Sequence, residues 1–555
     1  MPISEADELH PVAELAYAAD PIAASEAGDR RREGELGEVD RDALADQQAA
    51  RRRLLAEAER AAPPDPGTRA WLEHQVLLAE LRRGVATDER IRVASRVPYW
   101  YAERLGSALS AVMVPGDAPA ADALLSRLRR IPGHLDAARA NLGEDVPRVW
   151  AEMGETAARG LAGFLATAVP EYVTGLPPAL AGDVAAAAVA AGSAVEEFAD
   201  FSGALAERAT GRWQAGTAYV DLLLREVHHL DLDAAELTAL GRERVDSDEA
   251  ALVAFAAARD PRRDWREQIE AIKDDHPEPA ALLDAYGAAT RAVRRHTAEA
   301  GLLSLPEGEE CVLDWVPAYR RESLPLGEMA PSAPYAAGLR SEFRITPTDP
   351  RLAAERRRGH ARENSHVFIA SIAGHETYPG HHLQAVHHKL GTERGSVLRF
   401  VQSPQFVEGW GLYVEDLLEE SGFMADDGVR LFKRRNALWR ALRIVIDVGL
   451  HTGTLSEAEA VALLVERAGM EQHLAAGEVR RYLRHDNPTY PSSYVLGRDA
   501  LHAVRAEARA RAGSGFRLRA FHDELLSHGS PPVALVAAVL RGRASGAGPH
   551  GEPLT

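Results

Sequence analysis

The chain has 555 residues, of which 46% are hydrophobic, 26% charged and 6% aromatic. That is globular composition, which excludes wholesale disorder, and a length that calls for one large unit or two fused halves. With 64 Lys and Arg against 83 Asp and Glu the formal net charge is −19, which argues against a nucleic-acid partner. Cys311 is the single cysteine, so no intramolecular disulfide can form, and neither a cysteine nucleophile nor a thiolate metal site has support.

The start, MPISEADELHPVAEL, lacks the basic and apolar regions of a secretory signal, and cytoplasmic residence is the expectation. Residues 1–40 are polar and acidic without a sustained period and read as a flexible arm. From 41 to 305 the chain reads as helix after helix, with Leu54, Leu55 and Ala58, then Leu77, Leu78 and Leu81, at helical spacing. Breaks are expected at Pro63-Pro64, Pro115-Gly116, Pro132-Gly133, Pro177-Pro178 and Pro261. No fixed repeat period is visible. The Ala-rich run Ala179 to Phe198 is interrupted by Asp183, Glu196 and Glu197 and reads as a packed helix, with no membrane partner. His228-His229 could suggest metal binding, but Glu226 and Asp233 flank His229 at helical spacing. A local ion pair or a helix-end cap explains the pair without a metal.

From Pro306 prolines become frequent, and Leu339 to Thr346 alternates as a strand does. A lone strand beside a helical cleft could give an extended peptide an edge to pair with, although a small structural hairpin explains the pattern equally well. Helical texture resumes after Asp349 and lasts to 541, and 542–555 reads as a flexible tail. The domain reading is therefore a helical half at 41–305 and a catalytic half at 306–541.

The chemistry is concentrated in His375-Glu376-Thr377-Tyr378-Pro379-Gly380-His381-His382. It looks like the zinc-protease pattern His-Glu-x-x-His with Pro379-Gly380 inserted before the second histidine. On a straight helix His382 would return to the face of His375, but about 10 Å further along the axis, too far to share one ion at about 2 Å per bond. Pro379 lacks an N–H, and its ring clashes with the carbonyl of His375, so the helix must kink or bulge. Gly380 then supplies permissive torsions, and His381 can fold back toward the position normally one turn after His375. Glu376, beside the first ligand, is placed as general base. A third ligand is available in Phe406-Val407-Glu408-Gly409-Trp410-Gly411-Leu412-Tyr413-Val414-Glu415, where apolar neighbours imply a buried helix and a carboxylate needing compensation. Two histidines, one carboxylate and an open position make a catalytic zinc site, with Glu415 suited to orient a ligand histidine. Arg443, Asp447 and His451 lie on one helical stripe. The stripe could hold a substrate carboxylate or orient a ligand, or it could be a buried network bracing the helix; Tyr482 and Arg498 are weaker candidates of the same kind.

HETYPGHH followed by VEGWGLYVE, RIVIDVGLHTGTLSEAEA and NPTYPSSYVLGRDAL resembles the bacterial family catalogued as domain of unknown function 885. That family is grouped with the gluzincin-type zinc metallopeptidases through an HExxPGH signature, and the likeness spans about 360 to 505. The resemblance implies His375 and His381 as ligands, Glu376 as base and Glu408 as third ligand, with His382 at a more variable position. By analogy Tyr494 donates to the developing oxyanion. The sequence departs from the family's usual proline-glycine-glutamine run here, reading Pro488-Thr489-Tyr490-Pro491 instead.

The resulting expectation is a mainly α, metallopeptidase-like fold of many helices around a central cleft, with a short β element. One zinc ion per chain serves hydrolysis of short peptides. The alternatives are hydrolysis of another small amide or an ester, and a non-catalytic helical metal-binding protein.

Overall fold

A computed structural model of the chain describes residues 9–546 apart from 115–116, 317–320, 322–323 and 325. Helices account for most of it, as expected, with a three-stranded sheet between the two helical stretches. In the N-terminal stretch the helices Ala118–Asn141, Arg148–Val173 and Pro178–Arg208 pack side by side. Leu128, Ile131, Leu161, Leu165, Val184, Ala191, Val195 and Phe198 recur at three- and four-residue spacing and meet in one core. The Pro178–Arg208 helix is long and apolar enough, by length and composition, to cross a membrane. It buries one face, through Val184, Ala188 and Phe198, and turns Val189 outward.

Several expectations need correction. Residues 9–40 are packed: Pro11–Ala19 and Pro21–Glu26 are helices, and the Tyr17 ring meets Tyr335 edge-on at 6.1 Å. Ile22, Leu36 and Val39 join the large N-terminal core. Their apolar positions are too few to show a period and are buried only because distant residues receive them. Pro132 does not break its helix; it sits inside Ala118–Asn141. Pro115-Gly116, residues 1–8 of the arm and residues 547–555 of the tail lie outside the described residues, while a helix runs on to Gly546. Residues of the two stretches pack together, Val245, Ile269 and Ile272 with Leu431, Leu442 and Leu464. Leu72 and Val76 likewise pack with Leu535 and Val539.

The alternating stretch is the strand β3 (Leu339–Ile345), but it is not alone. It runs between β1 (Glu309–Trp315), parallel to it, and β2 (Gly327–Ala330), antiparallel, so the sheet order is β1-β3-β2. Among the described residues the edge strands are therefore β1 and β2.

Four helices hold the site: His366–Glu376, His381–Gly391, Pro404–Glu420 and Tyr490–Ala512. The last two touch backbone to backbone: a Cβ on Gly497 would lie 1.8 Å from the carbonyl oxygen of Gln405, and one on Gly409 would lie 2.5 Å from Gly497. That contact brings Glu408 against Tyr490 and Tyr494. The long helix Asp427–Thr452 lies behind them, joined to the Tyr490 helix through Asp447, which accepts from Ser492 Oγ at 2.8 Å and Thr489 N at 3.3 Å.

Candidate metal centre

The helix carrying His375 stops at Glu376, and the next starts at His381. Between them the chain turns through Thr377 to Gly380, with a cis Tyr378–Pro379 peptide. The expected interruption is thus a full break between two helices. It brings the imidazoles of His375 and His381 to a centroid distance of 4.8 Å at nearly right angles. Gly380 stands just before the second helix at φ −72° and ψ −145°. What excludes a side chain is space, because a Cβ there would sit 1.8 Å from the carbonyl oxygen of His375.

Glu408 completes the cluster. One donor atom each from His375, His381 and Glu408 lie within 4.8 Å of one another, and among the described residues this is the one such group. His381 Nε2 is 3.9 Å from Glu408 Oε2. Each ligand is held from behind. His375 Nδ1 donates to Glu415 Oε1 at 2.8 Å, leaving Nε2 free. His381 Nδ1 lies 3.2 Å from Gln384 Oε1. The Tyr490 hydroxyl donates to Glu408 Oε1, leaving Oε2 to face His381. Burial pushes the Glu408 carboxyl up, but His381, Tyr490, His375 and Tyr494 outweigh it and hold it below the usual range. Burial likewise acts on Glu415, yet Arg440, His375 and Lys433 draw it down to about 2, so it stays an acceptor for His375. Two imidazoles with both Nδ1 atoms engaged and one ionised carboxylate are a donor set that suits a divalent ion such as zinc.

The cluster opens into a cavity of about 310 Å³ lined also by Glu376, Tyr494, Gln384, Gln402, Met329 and Ser530. Glu376 and Tyr494 are therefore brought to the cluster. The Tyr494 hydroxyl bonds Glu408 and Tyr490, its ring lies over the Arg443 guanidinium at 4.9 Å, and burial raises its pKa, keeping it a donor.

The remaining predicted residues are not among the cluster's donors, although Arg443 touches Tyr494. His382 is fully buried and points to the sheet, with Nδ1 2.8 Å from Ser341 Oγ and Nε2 2.8 Å from Glu309 Oε2. Arg443 pairs with Glu478 at 2.9 Å, and the Tyr482 hydroxyl donates to the same carboxylate. Asp447 contacts no ligand; its partners hold the turn from which Tyr490 projects. His451 Nε2 meets the carbonyl of Tyr482 at 2.9 Å. Arg498 pairs with Asp499 and lines a separate cavity of about 190 Å³ with Asp416, Lys433 and Arg440. Asp447 and His451 thus join the helix to the segment before Tyr490, and Arg443 also bonds Tyr494. His228 Nε2 is 2.8 Å from Thr489 Oγ1, while Glu226 pairs with Arg82 and also acts on His229 through its charge.

Sequence reasoning missed Tyr490, Gln384 and Arg440. Gln384 was detectable, since it lies one helical turn after His381; nothing local marks Tyr490, whose partner is 82 residues away.

Residues 21–540 match the family described as bacterial protein of unknown function (DUF885), and the chain belongs to that family. No curated protein matches the sequence. Two solved structures share the fold. A candidate lipoprotein of unknown function from Shewanella oneidensis superposes with a TM-score of 0.78 at 18% identity, covering 95% of this chain and 98% of its own. A candidate lipoprotein from Colwellia psychrerythraea gives a TM-score of 0.79 at 16% identity, covering 96% and 97%. These relatives overturn the cytoplasmic expectation: both share the fold along nearly their whole length and are described as lipoproteins.

Proposed function

We propose that the protein is a zinc-dependent hydrolase, a gluzincin-type metallopeptidase acting on short peptides. The observation that carries this reading is the convergence of His375, His381 and Glu408 with Glu376 and Tyr494 on one cavity. A structural metal site needs the three ligands but neither a free carboxylate beside them nor a phenol across the cavity.

His375, His381 and Glu408 would hold the ion, which when bound supplies Lewis acidity to the scissile carbonyl and the attacking water. Glu376 accepts the proton as the water oxygen bonds to the carbonyl carbon, then passes it to the nitrogen as the C–N bond breaks. Tyr494 donates its hydroxyl to the oxygen on which negative charge develops. Glu415 and Tyr490 fix the orientations of His375 and Glu408 so that little reorganisation is left for the reaction.

A peptide substrate is supported by the sheet. β2 is an edge strand, and its Met329, with Pro331 just beyond, lines the cavity. An extended chain can pair with such an edge through its main-chain groups while its amide bond lies over the cluster.

Metal analysis of protein purified without chelators should find one zinc per chain. Glu376→Gln should retain that metal and lose at least about 100-fold of the turnover of a peptide library. Absence of bound transition metal, or metal with turnover indifferent to Glu376, would overturn the proposal.

A further inference from the structure

Gln384 lies in the first turn of the His381–Gly391 helix, only 3% exposed, and lines the cavity beside the cluster. Its two polar atoms have different fates. Oε1 faces His381 Nδ1 at 3.2 Å, whereas Nε2 is buried without a partner. The orientation follows from chemistry: if His381 gives Nε2 to an ion, its Nδ1 carries the proton, and the amide must present oxygen to it. The NH₂ group is then left without an acceptor on a residue that lines the cavity. A buried amide donor without an acceptor is costly, and fewer than one buried group in ten is left that way.

We propose that Gln384 is a two-sided residue, positioning His381 through its oxygen and binding substrate through its nitrogen. The acceptor it fits is a neutral carbonyl of the peptide main chain next to the cleaved bond. Among the described residues lining the cavity none is Lys or Arg while Glu376 and Glu408 are carboxylates, so no side-chain cation draws a terminal carboxylate there in preference to a neutral carbonyl. This deepens the hydrolase reading and rests on it: a chain segment blocked at both ends is as good a ligand as a free peptide.

Two variants separate the two sides. Gln384→Glu keeps an oxygen for His381 Nδ1 and loses the donor. It should retain wild-type zinc affinity in a chelator competition, while kcat/KM for acetylated, amidated peptides falls about tenfold, the loss of one hydrogen bond. Gln384→Leu removes both and should weaken zinc binding about 10- to 100-fold, a loss that the Glu variant rescues. Should the wild type hold zinc but turn over no peptide, affinity for an acetylated peptide hydroxamate replaces kcat/KM, with the same tenfold loss expected for Gln384→Glu. Undiminished kcat/KM or hydroxamate affinity in Gln384→Glu would mean that the nitrogen meets only water, and undiminished zinc affinity in Gln384→Leu would remove the positioning role. Either result overturns this inference and leaves the hydrolase reading standing. A wild type that binds no zinc overturns both.

Discussion

Replacing Gly411 by Ala tests the site where it is tightest. A Cβ at that position would lie 2.5 Å from Cε1 of His375, 2.7 Å from Nε2 and 3.0 Å from Nδ1. Carbon atoms do not rest closer than about 3.5 Å, so the imidazole must retreat by about 1 Å. It cannot do so freely, because Nδ1 is tied to Glu415 at 2.8 Å in a fully buried setting. A metal site tolerates about 0.2 Å in its bond lengths, so the displaced ring loses most of its bond. Gly411 lies inside the Pro404–Glu420 helix, where Ala is favoured over Gly by about 1 kcal/mol. That gain offsets part of the steric cost to the apoprotein. The expected result is a melting temperature in EDTA close to wild type, with zinc affinity down by at least about 100-fold, or about 2.7 kcal/mol. Chelator competition and thermal unfolding measure the two quantities. Wild-type zinc affinity in Gly411→Ala would refute the placement of His375 as a ligand pressed against this helix.

Other expectations follow from the same geometry. His381→Ala should abolish zinc binding, whereas His382→Ala should spare it and cost about 1–3 kcal/mol of stability by leaving the buried Glu309 carboxylate short of a partner. Tyr490→Phe frees Glu408 Oε1 and should weaken zinc by about tenfold while leaving the melting temperature of the apoprotein within a few degrees. Burial pushes the Asp447 carboxyl from 3.8 up to about 7, with Ser492 and Thr489 offsetting only part of the effect. The folded chain therefore keeps this proton where the unfolded chain has lost it, and stability falls as pH rises from about 4 to about 7, by at most roughly 4 kcal/mol. Asp447→Asn should remove that slope, so that its melting temperature gains on wild type between about pH 5 and pH 8. A constant difference across that range would contradict the assignment.

Much of the site could be read along the chain because its constraints are local. Pro379 cannot continue the helix begun at His366, and any break there turns His381 back toward His375. Glu408 and Glu415 are two turns apart on one helix, so a carboxylate that faces the histidines implies a second one level with their outer nitrogens. The division of labour between adjacent histidines is less local. His381 and His382 differ by about 100° around the helix, and only the position of β1 and β3 decides that His382 faces Glu309 and Ser341.

The sequence by itself determined the helical class and the break at Pro379-Gly380, since spacing and ring chemistry act within a few residues, and it offered the residues from which a metal site could be drawn. Tertiary structure alone decided the rest: Tyr490 on Glu408, Gln384 with a nitrogen left over, β2 rather than β3 at the cavity, and an N-terminal segment buried by Tyr335. Those outcomes depend on how closely separate helices approach. That distance is set here by small residues such as Gly409, Gly411 and Gly497, whose importance shows only when the surface that meets them is known.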